Sequence, residues 1–211
     1  MTKKKVLLVI AVLLVAASLF AVSQLRKGAD GPGPSGELAV GVKAPAFSLV
    51  NAVDGKTVAF QPGDGKLSVV VFTCNQCPYA KAFEPRIIEL GRRYAARGVV
   101  FYAIDPNDDT RYPEESTENM KARAVEKGYP YPYLKDGDSA VARAYGARVT
   151  PHVFVVDPAG NVRYRGYVDD TAKVEERKVT GLSDALDALL AKKEVATTVT
   201  KEFGCSIKWK A

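Results

Sequence analysis

The feature that most restricts what this chain can fold into is a stretch, residues 67–85, in which a hydrophobic run stops at two cysteines. The run, residues 67–72, consists mostly of β-branched and aromatic side chains, which is typical of a strand buried on both faces. Cys74 and Cys77 follow as a Cys-x-x-Cys motif, and the next apolar residues have helical spacing: Phe83, Ile87, Leu90 and Tyr94. The sequence therefore predicts a central strand, a dithiol at its end and a helix from about residue 76 to residue 96.

The two cysteines have different expected roles because a helix N-terminus affects them differently. Unpaired backbone N–H groups and the positive end of the helix dipole stabilise a thiolate at that place. We expect Cys74, at the junction of strand and helix, to be the low-pKa thiol that attacks. We expect Cys77, one turn further on and within disulfide reach, to be shielded and to resolve the mixed disulfide.

Two other interpretations of this cysteine pair remain open. Half of a zinc site has the same spacing, but a structural zinc site needs four ligands. Besides the pair, the chain offers only Cys205 and His152, and these do not form a second paired cluster. Inert buried thiols are the other alternative. The strand-then-helix context favours redox chemistry over both, because it is the context in which a thiol is activated.

The amino terminus has the pattern of an export signal followed by a linker. Lys3–Lys5 precede seventeen residues, Val6–Val22, that carry no charge. We expect residues 1–23 to be a signal peptide or a membrane anchor, and the glycine- and proline-rich residues 24–36 to be a flexible linker. The basic residues would stay in the cytoplasm, so the rest of the chain is expected on the extracytoplasmic, periplasmic side of the membrane.

The remaining residues suffice for one well-packed domain, which we place at residues 37–193, and a C-terminal tail at 194–211 that carries Cys205. The formal net charge is +6, but five basic residues and one acidic residue lie before residue 37, which leaves +2 for the remainder. A body so close to neutral has no nucleic-acid footprint, and we expect no nucleic-acid partner.

The elements around the dithiol follow from hydrophobic periodicity and turn residues. Asp54-Gly55 predicts a hairpin, and the acidic loop at 105–109 is either a calcium site or, as we expect, a solvated turn. The other predicted elements are a strand at 98–104, a helix at 113–127, an extended segment at 129–134, a short helix at 138–145, a strand at 153–156 with a hairpin into 162–166, and a helix at 183–193.

The order of these elements resembles the thioredoxin fold: a strand, a CxxC at a helix start, another strand–helix pair, then Val149-Thr150-Pro151 before a hairpin and a closing helix. The entry segment at 44–49 is similar to that of the redoxin branch. Residues 73–79 and 204–210 resemble a peroxiredoxin-like group of thioredoxin-family proteins of the bacterial envelope. The expected fold class is α/β, with a central mixed sheet flanked by helices, an N-terminal β-hairpin and a C-terminal tail.

This resemblance implies a thiol–disulfide oxidoreductase that needs no cofactor. Its substrates would be protein thiols or disulfides, it would have a redox-recycling partner protein, and its N-terminal segment would contact the membrane. Pro151 would be a cis-proline that faces the CxxC and shapes the docking surface. Thioredoxins carry a buried acid six residues before the first cysteine, where this chain has Ser68, so the proton acceptor for Cys77 would be Glu84 or water.

Two alternative functions remain. A peroxiredoxin-like thiol peroxidase would use Cys74 against a hydroperoxide, with Cys77 or Cys205 as the resolving thiol. Peroxiredoxins hold the peroxide with a threonine and an arginine, and here Val71 and Pro151 stand at about those positions, which weakens this alternative. A copper-binding assembly protein would use Cys74, Cys77 and His152.

Cys205 makes the number of cysteines odd. It is either a small hydrophobic residue packed in the tail or a relay thiol that exchanges with the Cys74–Cys77 pair.

Overall fold

The computed structural model describes residues 36–210. The predicted signal or anchor at 1–23 lies outside the described residues, as does nearly all of the predicted linker at 24–36. Within residues 36–210, no helix has the length and hydrophobicity needed to span a membrane.

A seven-stranded mixed sheet forms the centre of the molecule, in the order β2-β1-β5-β4-β3-β7-β8. A second sheet, which pairs β6 with β9, contains two strands. The strands are β1 (Phe47–Asn51), β2 (Thr57–Phe60), β3 (Ser68–Phe72), β4 (Val100–Asp105), β5 (Tyr133–Lys135), β6 (Val149–Thr150), β7 (His152–Val156), β8 (Val162–Gly166) and β9 (Cys205–Ser206). The α-helices are α1 (Pro78–Ala95), α2 (Thr117–Lys127), α3 (Ala140–Tyr145) and α4 (Gly181–Leu190), and 3-10 helices lie at Pro113–Glu115 and Val174–Glu176.

Strand β3 is a fully buried strand near the middle of the sheet, and the dithiol follows its end. It pairs in parallel with β4 and antiparallel with β7, and all five of its residues are buried. Its side chains alternate between two hydrophobic clusters: Val70 and Phe72 contribute to one, and Val69 and Val71 to the other. The predicted buried strand is confirmed, and core packing on both faces holds the residues that follow it in place.

Helix α1 starts two residues later than the sequence predicts. Pro78 occupies the first turn, where its missing N–H needs no partner, and Cys77 is the N-cap residue. The Cys77 sulfur accepts a hydrogen bond from the backbone N–H of Ala80 at 3.5 Å. Cys74 therefore lies in the loop before the helix, and Cys77, not Cys74 as the sequence predicts, occupies the helix N-terminus.

The helix predicted at 113–127 is interrupted. Ser116 is extended and caps a new helix: its Oγ accepts the backbone N–H of Asn119 at 3.4 Å. The 3-10 turn before it places Glu115 inward, where it is buried. The interruption therefore brings the Glu115 carboxylate towards the dithiol. A continuous helix would not predict this position.

The C-terminal segment, residues 194–210, packs along the edge of the domain. The backbone N–H of Arg165, in β8, donates to the Thr198 carbonyl, and the N–H of Thr200 donates to the Arg165 carbonyl, both at 3.0 Å. The segment then forms β9, whose Cys205 is paired with Thr150 in β6. The tail therefore passes beside the dithiol at Cys205.

Candidate active site

Cys74 and Cys77 lie side by side beneath the surface as free thiols. Only 5 % of Cys74 and 3 % of Cys77 is exposed. They contact a cavity of about 190 Å³ at the carboxyl end of β3, which is also lined by Asn107, Glu115, Thr150 and Cys205. The cavity is the route by which a small group, or one side chain of a larger partner, reaches the sulfurs.

Thr150 contacts both sulfurs from the opposite side of the cavity. Its Oγ1 lies 3.1 Å from the Sγ of Cys74, and its carbonyl oxygen lies 3.1 Å from the Sγ of Cys77. The Thr150–Pro151 peptide bond is cis, as the resemblance implied. Strand β6, which ends at Thr150, thus forms one wall of the site.

The electrostatics of the two thiols differ, and the difference is opposite to the sequence-based expectation. The hydrogen bond from the Cys74 thiol is the main cause that lowers the pKa of Cys77 to about 4, and the Cys205 thiol and the Ala80 N–H act in the same direction. The same shared bond, followed by burial and the Glu115 carboxylate, raises the pKa of Cys74. One contact acts against a low pKa of Cys77. The Cys77 thiol donates a hydrogen bond to the Thr150 carbonyl, and only the protonated thiol can do so. We assign the thiolate of the reduced pair to Cys77, because its sulfur accepts a helix N–H and that of Cys74 faces carboxylates.

Glu115 holds the turn between the two cysteines. It is 1 % exposed, and its carboxylate accepts the backbone N–H groups of Asn75 at 2.7 Å and of Gln76 at 3.2 Å. It also accepts the side-chain amide of Asn107 at 3.2 Å. Glu115 is not predictable from the sequence, because nothing in its local pattern distinguishes it from the exposed Glu114 beside it.

The acidic loop after β4 is buried, so the expected solvated turn is wrong. Asp105 is fully buried, and the ammonium of Lys135 lies 3.8 Å from one of its carboxylate oxygens. Burial raises the pKa of Asp105 well above its usual value. Asn107 and Asp108 are also buried, because their amide and backbone groups bind Lys208 of the C-terminal segment. This loop therefore supports one side of the cavity.

The proton acceptor proposed from the sequence is engaged elsewhere. Glu84 forms a two-point ion pair with Arg123, at 2.7 and 2.9 Å, and accepts the hydroxyl of Tyr129 at 2.6 Å. The carboxylates that act on Cys74 are instead Glu115 and Asp105.

His152 is fully buried in β7, with its ring 4.6 Å from that of Phe154. Burial lowers its pKa to about 4, so the imidazole is neutral at physiological pH. Among the described residues, no group of histidine, cysteine and acidic side chains is arranged to hold a metal ion.

Sequence comparison identifies the family. Residues 40–165 match the AhpC/TSA family. The chain belongs to this family. It is also 26 % identical over 186 residues to the thiol:disulfide interchange protein DsbE of Escherichia coli, covering 85 % of this chain and 94 % of that protein.

Solved structures support the same architecture. An uncharacterized conserved protein from Geobacillus kaustophilus is 40 % identical, covers 82 % of this chain and 93 % of its own, and superposes with a TM-score of 0.77. The thioredoxin domain of a thiol-disulfide oxidoreductase from Bacteroides vulgatus is 22 % identical, covers 60 % of this chain and 86 % of its own, and gives a TM-score of 0.51. The AhpC/TSA chain described here is therefore a thioredoxin-fold redoxin, and the predicted fold class is confirmed.

Proposed function

We propose that this protein is a thiol–disulfide oxidoreductase that uses Cys74 and Cys77 and works on the extracytoplasmic side of a membrane. The observation that carries the proposal is the hydrogen-bonded pair of free thiols at a cavity, with a lowered pKa on Cys77. Likeness over most of the chain to a thiol:disulfide interchange protein supports it. The charged and apolar pattern of residues 1–23 supports the location.

In the oxidising direction, a substrate thiolate attacks the Sγ of Cys74 in a Cys74–Cys77 disulfide. A mixed disulfide forms at Cys74, and Cys77 leaves as a thiolate. A thiol with a low pKa leaves faster, so the pKa of about 4 favours this bond breakage over expulsion of Cys74. A second substrate thiolate then attacks the mixed disulfide, the substrate departs as a disulfide, and both cysteines are left reduced.

In the reducing direction, Cys74 attacks a substrate disulfide and must first lose its proton. The Cys77 thiolate is hydrogen-bonded to Cys74 and accepts that proton. Cys74 then bonds to one substrate sulfur, the substrate S–S bond breaks, and the other substrate sulfur leaves as a thiolate that takes up the proton from Cys77. The Cys77 thiolate, regenerated by its low pKa, attacks the Sγ of Cys74, and the bond between Cys74 and the substrate breaks. The second substrate sulfur leaves as a thiolate and is protonated by water. Cys77 therefore acts as base, leaving group and resolving thiol, whereas Cys74 forms the bond to the substrate.

Pro151 and the tail define what reaches this pair. We propose that Pro151 shapes the docking surface, because the residue before it contacts both sulfurs. The substrates are protein thiols or disulfides, and a second redox protein restores the starting state after each turnover. No step requires a cofactor.

Single-cysteine variants of the full-length chain test the assignment. With reduced insulin chains and a mild oxidant, Cys77→Ser should accumulate a mixed disulfide through Cys74, because the resolving thiol is absent. Cys74→Ser should accumulate at least about tenfold less, and the double variant Cys77→Ser/Cys205→Ser shows how much of the trapping needs the third cysteine. Trapping that occurs only in Cys74→Ser would reverse the two roles, and the absence of trapping in every variant would refute exchange with protein thiols.

A further inference from the structure

The C-terminal strand brings a third thiol into the site. In the pairing of β6 with β9, Cys205 lies directly opposite Thr150, the residue that contacts both sulfurs of the dithiol. The Cys205 side chain packs against the small cluster that Cys74, Cys77 and Ala80 form. It also lines the same cavity. All three cysteines of the sequence therefore lie at one place.

Cys77 is the central sulfur of the three. The Cys74 and Cys205 thiols both lower its pKa, whereas the pKa of Cys205 responds to Cys77 and not to Cys74. Burial and this contact with Cys77 raise the pKa of Cys205 to about 11. Cys205 is also the least buried of the three, since the other two are almost fully enclosed. A reagent from solution therefore meets Cys205 first, and the thiolate nearest to Cys205 is that of Cys77.

The chain on both sides of Cys205 is fastened to the domain. Before it, the ring of Phe203 packs 5.6 Å from that of Phe83 in α1. After it, the backbone N–H of Ile207 donates to the Arg148 carbonyl at 3.0 Å. Gly204 permits the close approach, because a Cβ at this position would overlap with the Thr150 carbonyl oxygen. Contacts of this kind hold the Cys205 sulfur at Cys77 rather than leave it on a loose tail.

We propose that Cys205 is a third redox-active thiol of this site and that it forms a disulfide with Cys77. This proposal rests on the proposed function, because it extends the exchange chemistry of the same dithiol. A bond between these two cysteines would join the C-terminal strand covalently to the start of α1. It would also leave Cys74 as a free thiol at the cavity.

The bond can arise from the Cys74–Cys77 disulfide without any external oxidant. The Cys205 thiolate attacks the Sγ of Cys77, the Cys77–Cys205 bond forms, and the Cys74–Cys77 bond breaks. Cys74 leaves as a thiolate and takes up a proton, in place of the one that Cys205 lost. One disulfide and one thiol are present before and after, so no net oxidation occurs.

The bond can also arise from a mixed disulfide on the outer cysteine. Oxidised glutathione exchanges with the Cys205 thiolate, which leaves glutathione attached to Cys205 and releases one glutathione thiolate. The Cys77 thiolate then attacks the Sγ of Cys205, the Cys77–Cys205 bond forms, and the second glutathione leaves as a thiolate. Glutathione is the oxidant in this route, and its two thiolates take up the protons that the cysteines lost.

The test is to oxidise the full-length Cys74→Ser variant, in detergent, with oxidised glutathione and to map its disulfides by mass spectrometry. We expect an intramolecular Cys77–Cys205 disulfide to be the main product. In the matched Cys77→Ser variant, the Cys74–Cys205 disulfide should be at least about tenfold less abundant, since Cys77 lies between the other two sulfurs. The double variant Cys74→Ser/Cys205→Ser should give only a mixed disulfide with glutathione.

Two results would overturn the proposal. One is a Cys205 that remains a free thiol, or stays glutathionylated, in oxidised Cys74→Ser. The other is a cross-link that forms equally well in Cys74→Ser and Cys77→Ser, because this would indicate a mobile tail rather than a specific contact. Formation of the Cys77–Cys205 disulfide needs no protein substrate. Failure of insulin trapping would therefore refute the proposed function without deciding whether this disulfide forms.

Discussion

The end of β3 and the C-terminal strand β9 both bring a cysteine to the same cavity, but they are held there in different ways. Every residue of β3 is buried, and the strand pairs on both sides. Strand β9 has two residues and pairs with β6; its Cys205 is half-buried and its Ser206 is exposed. Displacement of β9 should therefore break local contacts, whereas displacement of the dithiol should require unfolding of the core.

This difference suggests a division of labour. The dithiol chemistry depends on fixed geometry, and a buried central strand provides it. The third thiol lies on a short strand that local contacts hold in place, so it can be displaced without unfolding of the core. Each of the following predictions tests whether these two regions can be perturbed separately.

The largest expected effect is on global stability. Phe72, the last residue of β3, is fully buried, and its ring lies 5.5 Å from that of Tyr145 and 5.9 Å from that of Phe154. Phe72→Ala should lower the free energy of unfolding by about 3–5 kcal/mol, because it removes a large core side chain and leaves a cavity. Urea denaturation of the reduced protein measures this. The control is Val50→Ala on the same sheet, which is 45 % exposed and should change the stability by less than about 1 kcal/mol. Equal losses of stability in Phe72→Ala and Val50→Ala would contradict the special contribution of the buried strand β3.

An intermediate effect is expected at the contact between Glu115 and the dithiol turn. Glu115→Gln removes the charge that raises the pKa of Cys74 and weakens the hydrogen bonds from Asn75 and Gln76. The pKa of Cys74 should therefore fall, and the stability should decrease by about 1.5–3 kcal/mol. Thiolate absorbance against pH in a Cys77→Ser/Cys205→Ser background measures the pKa of Cys74. Exposed Glu118→Gln is the control, and a pKa of Cys74 that rises in Glu115→Gln would refute the electrostatic role.

A smaller, local effect is expected at the tail. Gly204→Ala places a Cβ against the Thr150 carbonyl and should displace β9. Alkylation of the Cys205 thiol should become about tenfold faster, which corresponds to about 1.4 kcal/mol of lost local stability, while the unfolding midpoint in urea changes little. Gly137→Ala is the matched control, because a Cβ there meets open space. A large fall in global stability in Gly204→Ala would mean that the tail and the core unfold as one unit.

The smallest effect is expected at the far end of the tail. The Arg143 guanidinium lies 4.8 Å from the centre of the Trp209 ring and donates to the Lys210 carbonyl at 2.7 Å. Arg143→Ala should weaken the attachment by about 0.5–1 kcal/mol, and the alkylation rate of Cys205 should rise a few-fold. The exposed Arg111→Ala serves as the control. An unchanged alkylation rate would show that the residues nearer to Cys205 suffice to hold β9.

Local patterns predicted much of the fold. The run 67–72 became β3, the Asp54-Gly55 turn joins β1 to β2, and the pattern at 138–145 became α3 with Gly146 as its C-cap. These predictions hold because burial periodicity, turns and caps involve residues close in sequence. The predicted start of α1 was wrong by two residues. Hydrophobic periodicity does not locate the end of a helix to within two residues, and here the N-cap at Cys77 and Pro78 in the first turn set the start.

The local sequence pattern was enough to predict a dithiol at the end of a buried strand, and hence the class of chemistry. Which sulfur carries the lower pKa, and which groups surround it, depends on contacts between residues that are far apart in the sequence. Glu115 is separated from Asn75 by 40 residues, and Thr150 from Cys74 by 76. Hydrogen bonds and charges act over a few ångströms in space, whatever the separation along the chain. Packing, and not local pattern, therefore placed a carboxylate beside Cys74 and the thiol of Cys205 beside Cys77.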